Sequence, residues 1–224
     1  MPMSKEEKIL WDLMTNEARH EMIQKLQRSC QEKYQSGNYV DARCIALMLI
    51  DRDDAWGMTY YAVMLKFGQG GNQDLPLARH WFKQAAEKGN VSAMNNYALM
   101  LYQGQGGNQD LPLARHWFKQ AAQKGDFWAK VNLSHMLENA LGGNRDSEGS
   151  QQLLSEVSTE DLWKYQKGCI NSYPDLSLFA LSKLCDRKEY KAIMTLARMY
   201  VDGDRVNRDI YKAKGIIEKT SMKE

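Results

Sequence analysis

The chain has 224 residues, 43% of them hydrophobic and 26% charged, with 4 prolines, so it can bury a substantial core and is too apolar to stay disordered. Thirty basic residues against twenty-eight acidic ones leave a net charge of +2. That is too weak a field to hold a phosphate backbone or an anionic bilayer, so neither nucleic acid nor membrane is an expected partner.

The opening MPMSKEEKILWDLM lacks the basic, apolar and small-residue blocks of a secretory signal and reads as a helix start, with Ser4 and Glu7 forming a capping box. A cytoplasmic address is expected. A second helix follows from about residue 16 to 34. The segment SGNYVDARCIALMLIDRD then supplies its partner, including the longest apolar run, the seven residues from Cys44 to Ile50. A bilayer span needs roughly 20. Cys30, Cys44, Cys169 and Cys185 form no C-x-x-C pair and are expected to be free thiols in a reducing compartment.

Next comes a duplication. Residues 61–96 align without a gap on 97–132 at an offset of 36, and GQGGNQDLPLARHWFKQAA stands identically at 68–86 and 104–122. Such a period marks a repeat architecture. In VSAMNNYALMLYQ the residues Ala93, Tyr97, Ala98 and Leu101 share one helical face, and after the Gly loop Ala114, Trp117, Phe118, Ala121 and Ala122 share another. Each copy is therefore a helix hairpin. Asp74 and Asp110 are placed to cap the second helix, Pro76 and Pro112 lie in its first turn, and Gly89 and Gly125 end it behind a lysine.

A third copy keeps Gly142, Gly143, Asn144 and Asp146 and then loses the pattern. Residues 147–191 still predict helices, broken near Gly168 and Pro174, because Leu153, Leu154 and Val157, then Leu178, Leu181 and Leu184, recur at helical spacing. The pattern returns in AIMTLARMYVDGDRVNRDIYKA, through Ala192, Leu196, Ala197, Tyr200, Gly203, Val206, Asp209 and Ala213.

These residues together, with Gly68, Gly70, Asp74, Ala78, Trp81, Phe82, Ala85, Ala86 and Gly89 leading the best copies, resemble the Sel1-like repeat, a relative of the tetratricopeptide repeat. The resemblance implies an all-α fold, an α-solenoid of stacked antiparallel helix hairpins running over residues 1–224. Within it, residues 1–56 read as divergent N-terminal units, 57–132 as two near-identical repeats, 133–191 as degenerate units and 192–224 as a C-terminal repeat.

No motif in the chain completes a catalytic or ligand-binding signature. GQGG precedes a helix as a phosphate loop would, but the Lys and Ser/Thr of that loop are missing and Asp74 or Asp110 occupies the cap. His80 and His116 are copied with their packing, His20 and His135 stand alone, and neither Asp51, Asp53 and Asp54 nor Asp202 and Asp204 complete a calcium loop. No catalytic residue, cofactor, metal or small-molecule substrate is expected.

Function is expected from a surface, since solenoids hold partners along an extended groove lined by the first helix of each hairpin. Removing the core positions from the helix over 92–103 leaves Ser92, Asn95, Asn96, Leu99 and Gln103. Stepping by 36 gives Trp56, Thr59, Tyr60, Val63 and Phe67 on one side and Trp128, Val131, Asn132, His135 and Asn139 on the other. The aromatic residues would anchor a protein or peptide partner, and the amides would bond its backbone. The resemblance implies an adaptor or scaffold or, alternatively, a cytoplasmic immunity protein that neutralises a cognate bacterial toxin.

Overall fold

The computed structural model describes residues 3–169, 173–202, 212 and 215–216. Among them the regular structure is α-helical without a strand, in the order α1 (Lys5–Leu13), α2 (Asn16–Gln35), α3 (Tyr39–Ile50), α4 (Ala55–Phe67), α5 (Leu75–Glu87), α6 (Val91–Gln103), α7 (Leu111–Gln123), α8 (Phe127–Glu138), α9 (Ser147–Ser155), α10 (Thr159–Cys169), α11 (Pro174–Asp186) and α12 (Tyr190–Asp202). No helix among the described residues is long and apolar enough to cross a membrane.

Local chemistry sets these boundaries. Ser4 and Glu7 form the expected capping box at α1, and Asp54, Asp74, Asn90, Asp110 and Asp146 each accept a first-turn amide with the side chain. Gly68 and Gly104 close α4 and α6 in the left-handed conformation, at φ of 66° and 67°. α10 ends at Cys169 and α11 starts at Pro174, as the composition of that stretch predicts.

Contacts group the chain into two compact units, Met1–Asp126 and Phe127–Glu224. In the first unit each helix from α2 to α7 packs on its sequence neighbours, giving the hairpins α2/α3, α4/α5 and α6/α7 stacked in order. The two helices of a hairpin are buried unequally. Eight of the thirteen residues of α4 and of α6 are buried, against four of thirteen in α5 and in α7. First helices are sandwiched, whereas second helices bury one stripe carrying Ala78, Phe82, Ala85 and Ala86 or Ala114, Phe118, Ala121 and Ala122.

The identical loop and outer helix lock each hairpin to the one before. At Gly106, φ is 70° and a Cβ would lie 2.3 Å from the carbonyl oxygen of Leu75, at the start of the preceding outer helix. Gly70 meets Tyr39 in the same way, at 2.4 Å. Only a residue without a side chain allows that approach. From the outer helix, the Arg79 guanidinium donates to the carbonyls of Asn108 at 2.9 Å and Gln105 at 3.4 Å in the next loop. A loop held from both sides tolerates little change, which is a physical reason for nineteen residues to be kept letter for letter.

In the second unit α8 packs on α9, α10 on α11 and α11 on α12, while α10 and α11 also touch α8. Ala192, Leu196 and Ala197 of the C-terminal repeat are buried along α12. Gly203, Asp204, Val206, Asp209 and Ala213 lie outside the described residues.

Candidate interaction surface

The fifteen positions taken from the sequence separate sharply by burial. Those equivalent to Trp56, Ser92 and Trp128, and to Phe67, Gln103 and Asn139, are half-buried or exposed in every copy. Thr59, Asn95 and Val131, also equivalent, are buried in every copy, at 6%, 8% and 1% exposure. Tyr60, Asn96 and Val63 are half-buried, but Leu99, Asn132 and His135 are buried. Six of the expected groove residues therefore lie in the interior. A helix clasped by its own partner and by neighbouring elements buries more of its circumference than the single stripe that helical spacing assigns to the core.

Burial is most extensive on α8, where Val131, Asn132 and His135 are all interior. The Tyr165 hydroxyl of α10 donates to the Asn132 side-chain oxygen, Trp128 lies 5.1 Å from the Tyr165 ring, and His135 meets Phe179 of α11 edge-on at 5.1 Å. Lys183 of α11 pairs with Glu138 at 2.6 Å, closing the end of the same face. Two helices of the same unit thus pack over Trp128, Asn132 and His135 among the α8 positions read as a groove. Burial holds the His135 imidazole below its ordinary pKa of 6.5, against the opposing pull of Asp175 and Glu138. Unfolded chains take up the proton that the folded site resists, so stability is full above about 6.5 and declines as the pH falls below it. Urea midpoints measured from neutral to mildly acidic pH are expected to show that loss in the unaltered protein, and less of it after His135→Leu.

An accessible cleft stands instead between α2 and α4, with a volume of 260 Å³ and Gln24, Gln27, Arg28, Gln31 and Trp56 in its walls. Trp56 stacks on Tyr60 at 3.9 Å, Tyr34 meets Tyr60 edge-on at 5.5 Å, and Tyr39 meets Tyr34 at 5.3 Å. Burial, then the neighbouring Cys30 and Tyr34, pushes the Tyr60 hydroxyl pKa up, so it remains a neutral donor at neutral pH. Gln27 donates to both oxygens of Asp54, the α4 cap, at 3.1 and 3.2 Å, which fixes α2 against α4. Three of these four α2 residues lie one more step of 36 back, since Tyr60, Val63 and Phe67 return to Gln24, Gln27 and Gln31, whereas Arg28 corresponds to the core residue Met64.

Further along, Phe67 is 60% exposed beside the Lys66 ammonium, Ser92 and Gln103 are exposed, and Asn96 spends one amide hydrogen on the Ser92 carbonyl at 2.9 Å. In the second unit, Asn139 donates an amide hydrogen to the His135 carbonyl at 2.9 Å. The exposed residues of the first unit are by themselves aromatic and amide-rich. Such a lining suits an extended polypeptide, whose backbone it can bond and whose apolar side chains it can stack.

A family model of the Sel1 repeat matches residues 57–90, 91–126 and 191–219, the first two corresponding to the hairpins α4/α5 and α6/α7. Among solved structures, a protective antigen present in uropathogenic Escherichia coli strains and displaying an SLR fold superposes with a TM-score of 0.61 at 20% identity, over 89% of this chain and 46% of that one. This chain thus spans about half the length of that antigen. A Sel1 repeat protein from Oxalobacter formigenes superposes with a TM-score of 0.59 at 15% identity, over 88% of this chain and 84% of that one. At such identities the likeness is one of fold. No curated protein matches the sequence.

Proposed function

From a chain built on Sel1 repeats, three of them recognisable, we propose a non-catalytic adaptor that holds a protein partner against the exposed faces of α2 and α4. Sel1-repeat folds generally mediate protein–protein interaction. The observation that carries the reading for this chain is the half-exposed Trp56–Tyr60 stack, whose Trp56 lines the cleft with Gln24, Arg28 and Gln31. Large aromatic rings next to amides and a guanidinium have the composition of interface hot spots. All four cysteines are free thiols, two of them buried, and this supports a reducing, cytoplasmic setting.

The test is capture of partners from the native cell on the immobilised chain, identification by mass spectrometry, and titration of the purified partner. Trp56→Ala is expected to weaken binding at least about tenfold, or about 1.4 kcal/mol, with the helical circular dichroism unchanged. A substitution at the exposed Val40 of α3 serves as the control. Undiminished binding by Trp56→Ala would remove this face from the function, and a toxin domain among the captured proteins would make the adaptor an immunity protein.

A further inference from the structure

The outer helices of the first unit end in a series of cations spaced by 36, Arg52 after α3, Lys88 after α5 and Lys124 after α7. The first two are engaged within the chain. Arg52 lies over the Trp11 ring at 5.2 Å and donates to the Met48 carbonyl at 2.7 Å. Lys88 pairs with the Asp53 carboxylate at 2.5 Å. Lys124 has no carboxylate within ion-pair distance among the described residues.

The cause is a single position. Asp53 sits one residue past Arg52 in the left-handed conformation, at φ of 59°, and its equivalent one repeat later is Gly89, at φ of 93°. With no carboxylate there, a cleft of 420 Å³ stands open at the ends of α5 and α7, with Met94 and Trp117 as its apolar walls and Gln120 and Lys124 as polar ones. Glu87 is the carboxylate in the lining, and it is held by Lys83 of its own helix at 3.7 Å. The site therefore offers an uncommitted ammonium beside an indole and a thioether.

We propose that this cleft is a second docking site, separate from the α2–α4 face, for a partner segment that brings a carboxylate side chain to Lys124 and an adjacent apolar side chain to Trp117 and Met94. The partner supplies from outside the charge that Asp53 supplies from within one repeat earlier. Charge complementarity and an apolar seat together define the occupant as an acidic and apolar stretch of polypeptide.

The test uses the full chain and two probes, the acetylated and amidated tetrapeptides Leu-Glu-Leu-Glu and Leu-Gln-Leu-Gln, titrated while the amide and indole N–H resonances are followed by NMR. Saturable shifts at the Trp117 indole and the Gly89 amide are expected, with the glutamate peptide binding about threefold or more tightly than its neutral twin. High salt erases that preference. Lys124→Met, at an exposed position, is expected to abolish the preference, and Gly89→Asp to weaken both peptides by occupying the cleft from inside; thermal melts verify that each variant is folded. The proposal is overturned if Trp117 does not move, if the two peptides bind alike, or if Lys124→Met keeps the preference. Shifts confined to the Trp56 indole would likewise overturn it, and they would leave the α2–α4 reading standing.

Discussion

Gly106→Ala is expected to destabilise the first unit by about 3 kcal/mol, whereas Gly89→Ala is expected to cost only about 1 kcal/mol. Both glycines have positive φ, 70° and 93°, so both substitutions incur the left-handed penalty of an L-residue. They differ in what a side chain would meet. At Gly89 nothing lies within 4 Å of the added carbon, while at Gly106 it falls 2.3 Å from the Leu75 oxygen and 2.6 Å from the Leu75 carbonyl carbon. Backbone atoms cannot rotate aside as a side chain can, so the loop has to withdraw from the preceding hairpin and strain the Arg79 bonds to Asn108 and Gln105. Urea denaturation followed by circular dichroism reads the difference directly. Equal losses for the two variants would mean that the loop is not a clamp, and that steric contact with the preceding hairpin is not what keeps the two copies identical.

The clamp also shows what kind of information a sequence carries well. Caps, turns and the 36-residue period are local signals, so Asp74, Asp110, Gly89 and Gly125 marked their helices correctly and the hairpins followed. Free surface is not local. Thr59, Asn95 and Leu99 sit on the side of α4 and α6 that helical spacing leaves polar or mixed, yet they are buried, because a first helix in a stack is covered on more than one side. On α8 the covering residues, Tyr165 and Phe179, come from a stretch that has lost the repeat pattern, so no period could point to them. Part of the divergence among first helices is consequently the divergence of a core. The surviving candidates, Trp56, Tyr60, Val63, Phe67, Ser92, Asn96 and Gln103 in the first unit and Trp128 and Asn139 in the second, are those whose side chains keep contact with solvent.

The covered face of α8 leads to the other large effect, at Tyr165. This ring is fully buried, with Trp128 beside it and its hydroxyl on Asn132, so Tyr165→Ala is expected to cost about 4 kcal/mol and Tyr165→Phe about 1 to 2 kcal/mol. The first change removes ring packing and leaves a cavity; the second removes one hydrogen bond from a buried amide. Asn132→Ala breaks the same bond from the other side, and for a face covered by α10 and α11 it is expected to lower stability by a similar amount, about 1 to 2 kcal/mol, while partner capture by the folded protein stays unchanged. The two readings of Asn132 then separate in one pair of measurements. If Asn132→Ala instead abolished capture without shifting the urea midpoint, α8 would be a working recognition surface, and α10 and α11 would have to leave it for a partner to bind. Such exposure would strip Tyr165 and Phe179 as well, at a cost that tight binding would have to offset. The packing around Tyr165 therefore favours recognition on the α2–α4 face, where the aromatic stack is open before any partner arrives.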